Sequence, residues 1–196
     1  MSKPHYLQLS TVRRFTVAEY HRMKDGGVIA EDEATELLEG CLLDMTPGGI
    51  VHDRVLNALA AAYPRFLPPG WLTRSRQSVV LTDSVPKPDI AVVRGDETVY
   101  RTRHPGPADI GLLVEVSDSS LLIDRDDKGS IYARERVPVY WVVNVVDKVV
   151  EVYTQPGGPA ENPAYTERDD YPVGTAVPVV LDGAAVGTIA VADVMG

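Results

Sequence analysis

Cysteine is nearly absent from the chain: Cys41 stands alone in 196 residues. A single thiol excludes an internal disulfide framework and a cysteine-rich zinc site, and it suits a reducing cytoplasm. Long apolar runs are missing too. No uncharged stretch approaches the ~18 residues a membrane-spanning helix needs. The N-terminal MSKPHYLQLSTVRRF lacks the apolar centre of a secretory signal. The expectation is therefore a cytoplasmic location with no membrane partner. Familiar chemical signatures are also lacking, with no GxGxxG, Walker loop, HExxH, GxSxG or CxxC. Nucleotide binding, zinc proteolysis and serine hydrolysis lose their support. Gly (16) and Pro (15) are too few to signal disorder, and 44% hydrophobic with 24% charged residues describes a folded globular protein. The length suits one domain over 15–196, preceded by an extension over 1–14.

Positive charge is scarce overall, for a net charge of −9. At first sight this opposes a nucleic-acid partner, because phosphate binding is driven by Lys and Arg. The distribution is uneven, however. Residues 149–196 hold seven acids and one base, Arg168, whereas residues 65–104 hold seven bases (Arg65, Arg74, Arg76, Lys87, Arg94, Arg101 and Arg103) against four acids. That basic stretch either faces a polyanion or scatters its arginines over a solvated surface.

The hydrophobic pattern changes period along the chain. Thr16-Val-Ala-Glu19 has capping-box spacing and opens a short helix, Val17 to Met23. A second helical segment is expected over Glu31–Leu38, then a strand over Leu42–Thr46 and a turn at Pro47-Gly48-Gly49. Val55, Leu59, Ala62 and Phe66 mark one face of a helix from His52 to Phe66, closed by Pro68-Pro69-Gly70. Strands are then expected over Ser78–Thr82, Asp89–Val93, Gly111–Val116, Val139–Val146 and Val149–Thr154, the last two as a hairpin. One more helix is expected over Asp126–Glu135. Residues 155–163 read as a loop, and Val177–Leu181 and Val186–Val191 as late strands, so that 155–196 forms acidic C-terminal strands or a flap. The order of elements fits a mixed sheet with helices on its faces, an α/β or α+β arrangement.

Carboxylates in unusual places carry what chemistry the sequence suggests. Glu115 sits inside Leu112-Leu113-Val114-Glu115-Val116, a run whose apolar neighbours on both sides mark a strand buried on both faces. A charge buried there must be paired or bind a metal, unless the strand lies at an edge and the carboxylate meets water. Asp89 follows Pro86-Lys87-Pro88, where the prolines fix the backbone and set the carboxylate at a strand end. Lys128 shares one helix face with Ile131, Tyr132 and Glu135. Two carboxylates can hold Mg²⁺ through hard oxygen ligands, and a lysine beside them can orient water or offset growing negative charge. Together these groups describe phosphodiester hydrolysis.

Several motifs, in order, resemble the Uma family of restriction-endonuclease-like proteins, part of the PD-(D/E)XK nuclease superfamily. They are Glu36-Leu-Leu-Glu-Gly40, Thr46-Pro47 leading to His52, Pro88-Asp89, Leu113-Val-Glu-Val-Ser117, Asp127-Lys128 with Tyr132-Ala133, and Tyr140-Trp-Val-Val143. The resemblance covers roughly residues 15–155. It implies an α/β fold with a restriction-endonuclease-like mixed β-sheet flanked by helices, and an endonuclease dependent on Mg²⁺ or Mn²⁺ that acts on DNA as a homodimer. Asp89 and Glu115 would bind the metal. Ser117 occupies the position of the superfamily's strand lysine, and Lys128 supplies that lysine from the following helix, with Lys87 as a competing candidate. Glu36 would support the site, and His52 would contact phosphate. There are departures: Ser117-Asp118-Ser119 stands for Ser-Pro-Ser, Arg136 for a Gly, Val139 for an acid and Asn144 for an aspartate. They remove no proposed metal ligand but point to altered or weakened activity, and the acidic tail with no helix-turn-helix or zinc finger keeps open a catalytically inactive nuclease fold used for binding or regulation. A third reading, a hydrolase of small phosphoesters, requires a closed pocket in place of an open groove.

Overall fold

The computed structural model describes residues 12–30, 33–45 and 47–196. Most of the expected 1–14 extension, with Glu31 and Thr46, lies outside the described residues. Helix α1 (Val17–Asp25) has the expected capping box: the Glu19 amide donates to the Thr16 hydroxyl, and the Thr16 amide donates back to the Glu19 carboxylate at 2.9 Å.

The segment expected as a second helix is instead a hairpin of β1 (Thr35–Leu38) and β2 (Cys41–Asp44). Glu, Ala and Leu favour a helix locally, but packing overrides a weak propensity. All four β1 residues are buried, and Leu37 bridges to Val85. The two residues of the turn, Glu39 and Gly40, both have positive φ (47° and 78°), the geometry a two-residue hairpin requires.

Helix α2 (Ile50–Ala62) runs into a 3₁₀ turn at Tyr63–Arg65, earlier than the expected end at Phe66 because Pro64 follows at once. Strand β3 (Trp71–Ser75) was not expected. The run 78–82, expected as a strand, is irregular: the amides of Val79, Val80 and Leu81 donate to Pro86, Pro105 and Ser84 carbonyls and not to a partner strand. Then come β4 (Ile90–Arg94) and β5 (Ile110–Ser117). A helix over 121–134 follows, π-wound at Ile123–Lys128 and α-helical as α3 (Gly129–Arg134). The expected hairpin is β6 (Val139–Asn144) with β7 (Val149–Pro156). The chain closes with β8 (Tyr165–Pro172), the hairpin β9 (Ala176–Leu181) and β10 (Ala184–Ala190), and the short α4 (Val191–Met195).

Six strands form the main sheet in the order β3-β4-β5-β6-β7-β8, antiparallel throughout except for the β5–β6 pair. That parallel pair needs a crossover, which the 121–134 helix provides. The expected mixed sheet flanked by helices is thus present. Side chains alternate along β5: Leu112, Val114 and Val116 pack with α2, the β9–β10 hairpin and α4 on one face. Leu113 packs with Ile131 and Tyr132 on the other, so Glu115 falls on the face covered by the crossover helix. Strand β4 begins opposite the end of β5, pairing Ile90 with Val114, which brings Asp89 to the same sheet end as Glu115.

Candidate active site

Lys128 is the hub of the arrangement. Its side chain is only 7% exposed, and Nζ lies 3.0 Å from Glu115 Oε1, 3.3 Å from Glu36 Oε2 and 3.7 Å from Asp124 Oδ1. All three carboxylates are buried. The Tyr132 hydroxyl adds a second donor to Glu115 Oε1 at 2.9 Å. Glu36 is fixed from the other side by the Lys87 amide, 2.5 Å from its Oε1. Ser117 and Ser120 hydroxyls donate to Asp124 Oδ2 at 2.7 and 2.6 Å.

The electrostatics follow from burial. Desolvation pushes the Glu115 carboxyl well above the usual range. The Lys128 ammonium pulls the other way, while Asp124, Asp89 and Glu36 add repulsion. Asp124 is raised as well, by burial first, against Lys128 and the two serine hydroxyls. For Lys128, burial works against the charge, but the attraction of Glu115, Glu36 and Asp124 outweighs it and the pKa rises. The cluster holds its ammonium firmly and carries more acid than one cation can balance.

Asp89 stands beside this cluster on its own anchors. Its Oδ2 accepts from the Val116 amide at 2.8 Å and from His52 Nε2 at 3.1 Å. Arg76 approaches the same group, with Nε 3.6 Å from Asp89 Oδ1 and a terminal nitrogen 3.2 Å from His52 Nδ1. A guanidinium only donates, so in that contact Nδ1 accepts and Nε2–H points at Asp89. The Asp89 hydrogen bond raises the His52 pKa against desolvation. Gly48 permits the close entry to α2, since a Cβ there would collide with the His52 ring.

Glu36, His52, Arg76, Asp89, Glu115, Asp124 and Lys128 line one cavity of about 520 Å³. Exposed Pro47, Gly49, Arg76, Asp118 and Ser119 form its mouth. The cavity opens to solvent at that mouth, while its floor of Glu36, Asp89, Glu115, Asp124 and Lys128 is buried. Asp89, Glu115, Lys128, Glu36 and His52, the five residues singled out in the sequence, all line it, as does the side-chain candidate Lys87. Lys128, and not Lys87, reaches Glu115. Sequence reasoning missed Asp124, whose signal was its place four residues before Lys128. It also missed Arg76, which lay among the bases of 65–104 without a motif. The Ser117 hydroxyl serves as a donor to Asp124.

A family model described as "Uma2: Putative restriction endonuclease" matches residues 17–185. A crystal structure described as a putative nuclease belonging to DUF820 from Anabaena variabilis ATCC 29413 superposes with a TM-score of 0.65 at 14% identity, covering 92% of this chain and 97% of that one. At that identity the likeness shows a shared fold. No curated protein matches the chain. None of the helices in the described residues is long and apolar enough to cross a membrane.

Proposed function

Since the chain belongs to the Uma2 family, we propose that it is an endonuclease that hydrolyses phosphodiester bonds in DNA with Mg²⁺ or Mn²⁺ as cofactor. The observation that carries this reading is a charge imbalance at the floor of an open cleft. Glu115, Glu36 and Asp124 crowd the single ammonium of Lys128, and Asp89 adds a fourth carboxylate in the same cavity.

The donor set fits a hard divalent cation: carboxylate oxygens dominate and no thiolate lines the cavity. Among the described residues no three acidic, His or Cys side chains converge as a ready cage. Mg²⁺ does not need one, because it is usually held by one or two carboxylates with waters and substrate phosphate filling the rest. Asp89 and Glu115 are the residues that would hold it. When bound, such a cation lowers the pKa of water and offsets charge on the phosphoryl group. The protein's own contribution is positional. Tyr132 and Lys128 fix the Glu115 carboxylate, and the Val116 amide and His52 fix Asp89. The Lys128 ammonium orients the attacking water and counters negative charge in the transition state. Glu36 and Asp124 hold that ammonium in place. Arg76, half exposed at the mouth, and the first-turn amides of α2, which have no side-chain cap, offer donors to a phosphate.

The test is cleavage of supercoiled plasmid with Mg²⁺ or Mn²⁺, alongside calorimetric titration of each metal. Glu115→Gln should abolish nicking while the fold, followed by circular dichroism, persists. Wild-type protein that binds neither metal and cuts nothing, with or without DNA in the titration, overturns the reading. One observation favours the rival, a nuclease fold kept for binding: Glu115 Oε1 already accepts two donors, as in a purely structural ion cluster. In that case wild type would not cut, and Glu115→Gln would bind DNA as wild type does.

A further inference from the structure

Three of the seven bases of residues 65–104, Arg74, Lys87 and Arg103, fall along one path once the chain folds, whereas Arg94 pairs with Asp182. Lys87 lines the cleft, and its amide donates to Glu36, next to Thr35 whose carbonyl accepts from the Tyr20 hydroxyl of α1. Lys24 Nζ lies 5.6 Å from the Tyr20 ring, and Tyr20 meets His21 at 5.9 Å. His21 stacks on His104 at 6.4 Å with the rings 9° from parallel. Arg103 donates to the His104 carbonyl at 3.2 Å and lies 5.1 Å from the Tyr100 ring, with the Arg74 guanidinium 5.1 Å from the same ring. A row of cations and aromatic rings, backed by the buried Tyr20, therefore leads from α1 to β3 and the 100–104 loop, with Lys87 at the cleft.

Two features show that the row is poorly neutralised from within. Among the described residues the side chains of Lys24, Arg74 and Lys87 form no salt bridge, and within the row Arg103 pairs with Asp109. Arg74 Nε is buried with no hydrogen-bond partner, although a buried donor left unpaired is costly. In a chain of net charge −9, a basic row that starts at the acidic cleft is a local reversal of sign.

We propose that this row is the track on which the phosphate backbone of duplex DNA lies as it leaves the cleft, with Lys87, Lys24, Arg74 and Arg103 as its phosphate contacts. The proposal rests on the DNA reading of the cleft and adds where the substrate runs. Phosphate contacts of this kind position a duplex without reading its sequence, which accords with rows of Lys and Arg interleaved with rings. Arg stacked on an aromatic face keeps its outer N–H groups directed outward for phosphate oxygens.

The experiment is polarisation of a labelled DNA duplex with the full chain in EDTA, so that no cleavage occurs, repeated across a salt series. Each phosphate contact adds about −0.9 to the slope of log K against log salt. Lys24→Ala with Arg74→Ala should therefore flatten the slope by about two, while Arg74→Lys, which keeps the charge and guards against a folding defect, should restore about one of these. A slope unchanged in the folded double variant, or a wild type that binds no duplex, overturns the track. So does an RNA duplex that competes better than DNA. The cleft reading is scored separately: flattened slopes without metal-dependent cutting leave the track standing and remove the nuclease. Glu115-dependent cutting with unmoved slopes does the reverse.

Discussion

Replacing Lys128 with Met removes an ammonium and keeps nearly the same volume, so it isolates charge from packing. In the folded chain the ammonium lies within 4 Å of three carboxylates, and the side chains of all four residues are at most 7% exposed. Taking away one partner of a buried ion pair costs about 3–5 kcal/mol, because the remaining charge is stranded. Here three charges lose one partner, which argues for the upper half of that range. Proton uptake by the cluster caps the loss, since Glu115 is already pushed towards its neutral form. For a chain of this size each kcal/mol moves the melting temperature by about 2–4 °C, so the deficit amounts to roughly 8–20 °C. Scanning calorimetry at neutral pH in EDTA measures it directly. Adding Mg²⁺ should then return part of the loss, because a ligand that binds only the folded state at a hundred times its Kd contributes about 2.7 kcal/mol. A variant that melts within about 2 °C of wild type in EDTA would refute the reasoning: the carboxylates would not then depend on Lys128, and the charge imbalance would have no energetic content.

Two further outcomes follow from other parts of the fold. Glu151 is fully buried on β7, where its carboxylate accepts from Arg125 Nε at 2.9 Å, Tyr153 Oη at 2.7 Å and Asn144 Nδ2 at 3.3 Å. Burial works to raise its pKa, but these donors prevail and hold it below the ordinary 4.5. A depressed carboxyl contributes stability above its unfolded pKa and loses it as pH falls through the folded value. Glu151→Gln should accordingly melt lower than wild type at neutral pH, with the gap closing as pH drops below 4.5; thermal melts over that range check it, and a gap that widens in acid refutes it. Gly40→Ala should destabilise by about 1–3 kcal/mol in denaturant titrations, since Gly40 has φ 78° and a Cβ there would lie 2.7 Å from Arg14 Cβ. An unchanged midpoint would mean that the hairpin turn tolerates a side chain.

Legibility in the sequence tracked burial. Glu115 could be found because a charge inside a run of apolar residues contradicts its surroundings, and β5 is indeed buried along its whole length. Strand β8, Tyr165-Thr-Glu-Arg-Asp-Asp-Tyr-Pro172, could not, because it is an edge strand whose exposed charges erase the apolar signal. Such charges are what keep an edge from pairing with another chain. Strand β3 was hidden by its shortness and by the prolines before it. The error at 31–38 has a different cause. Glu, Ala and Leu are helix formers, and only long-range contacts, Leu37 with Val85 among them, make that segment a strand. Glu36 was therefore identified by its motif while its element was misread.

The site owes its last component to a departure from regular geometry. Lys128 could be singled out by residue type, yet its reach to Glu115 depends on how the 121–134 helix is wound. Between Ile123 and Lys128 the winding widens, and the Gly129 amide donates to the Asp124 carbonyl five residues back. Such π turns are rare and cluster at functional sites, because they displace side chains from the places an α-helix would give them. Two contacts hold this one. The Tyr140 hydroxyl donates to the same Asp124 carbonyl at 3.0 Å, and Arg125, pointing the other way, pairs with Glu151. Lys128 and Asp124 then face the cleft while Arg125 faces the sheet. The Glu151 network and the Lys128 cluster are thus opposite sides of one widened turn. Glu151→Gln should for that reason lower cleavage as well as stability, even though Glu151 does not line the cleft. A variant that melts lower but cuts plasmid at the wild-type rate would show that the turn keeps its shape without its anchor.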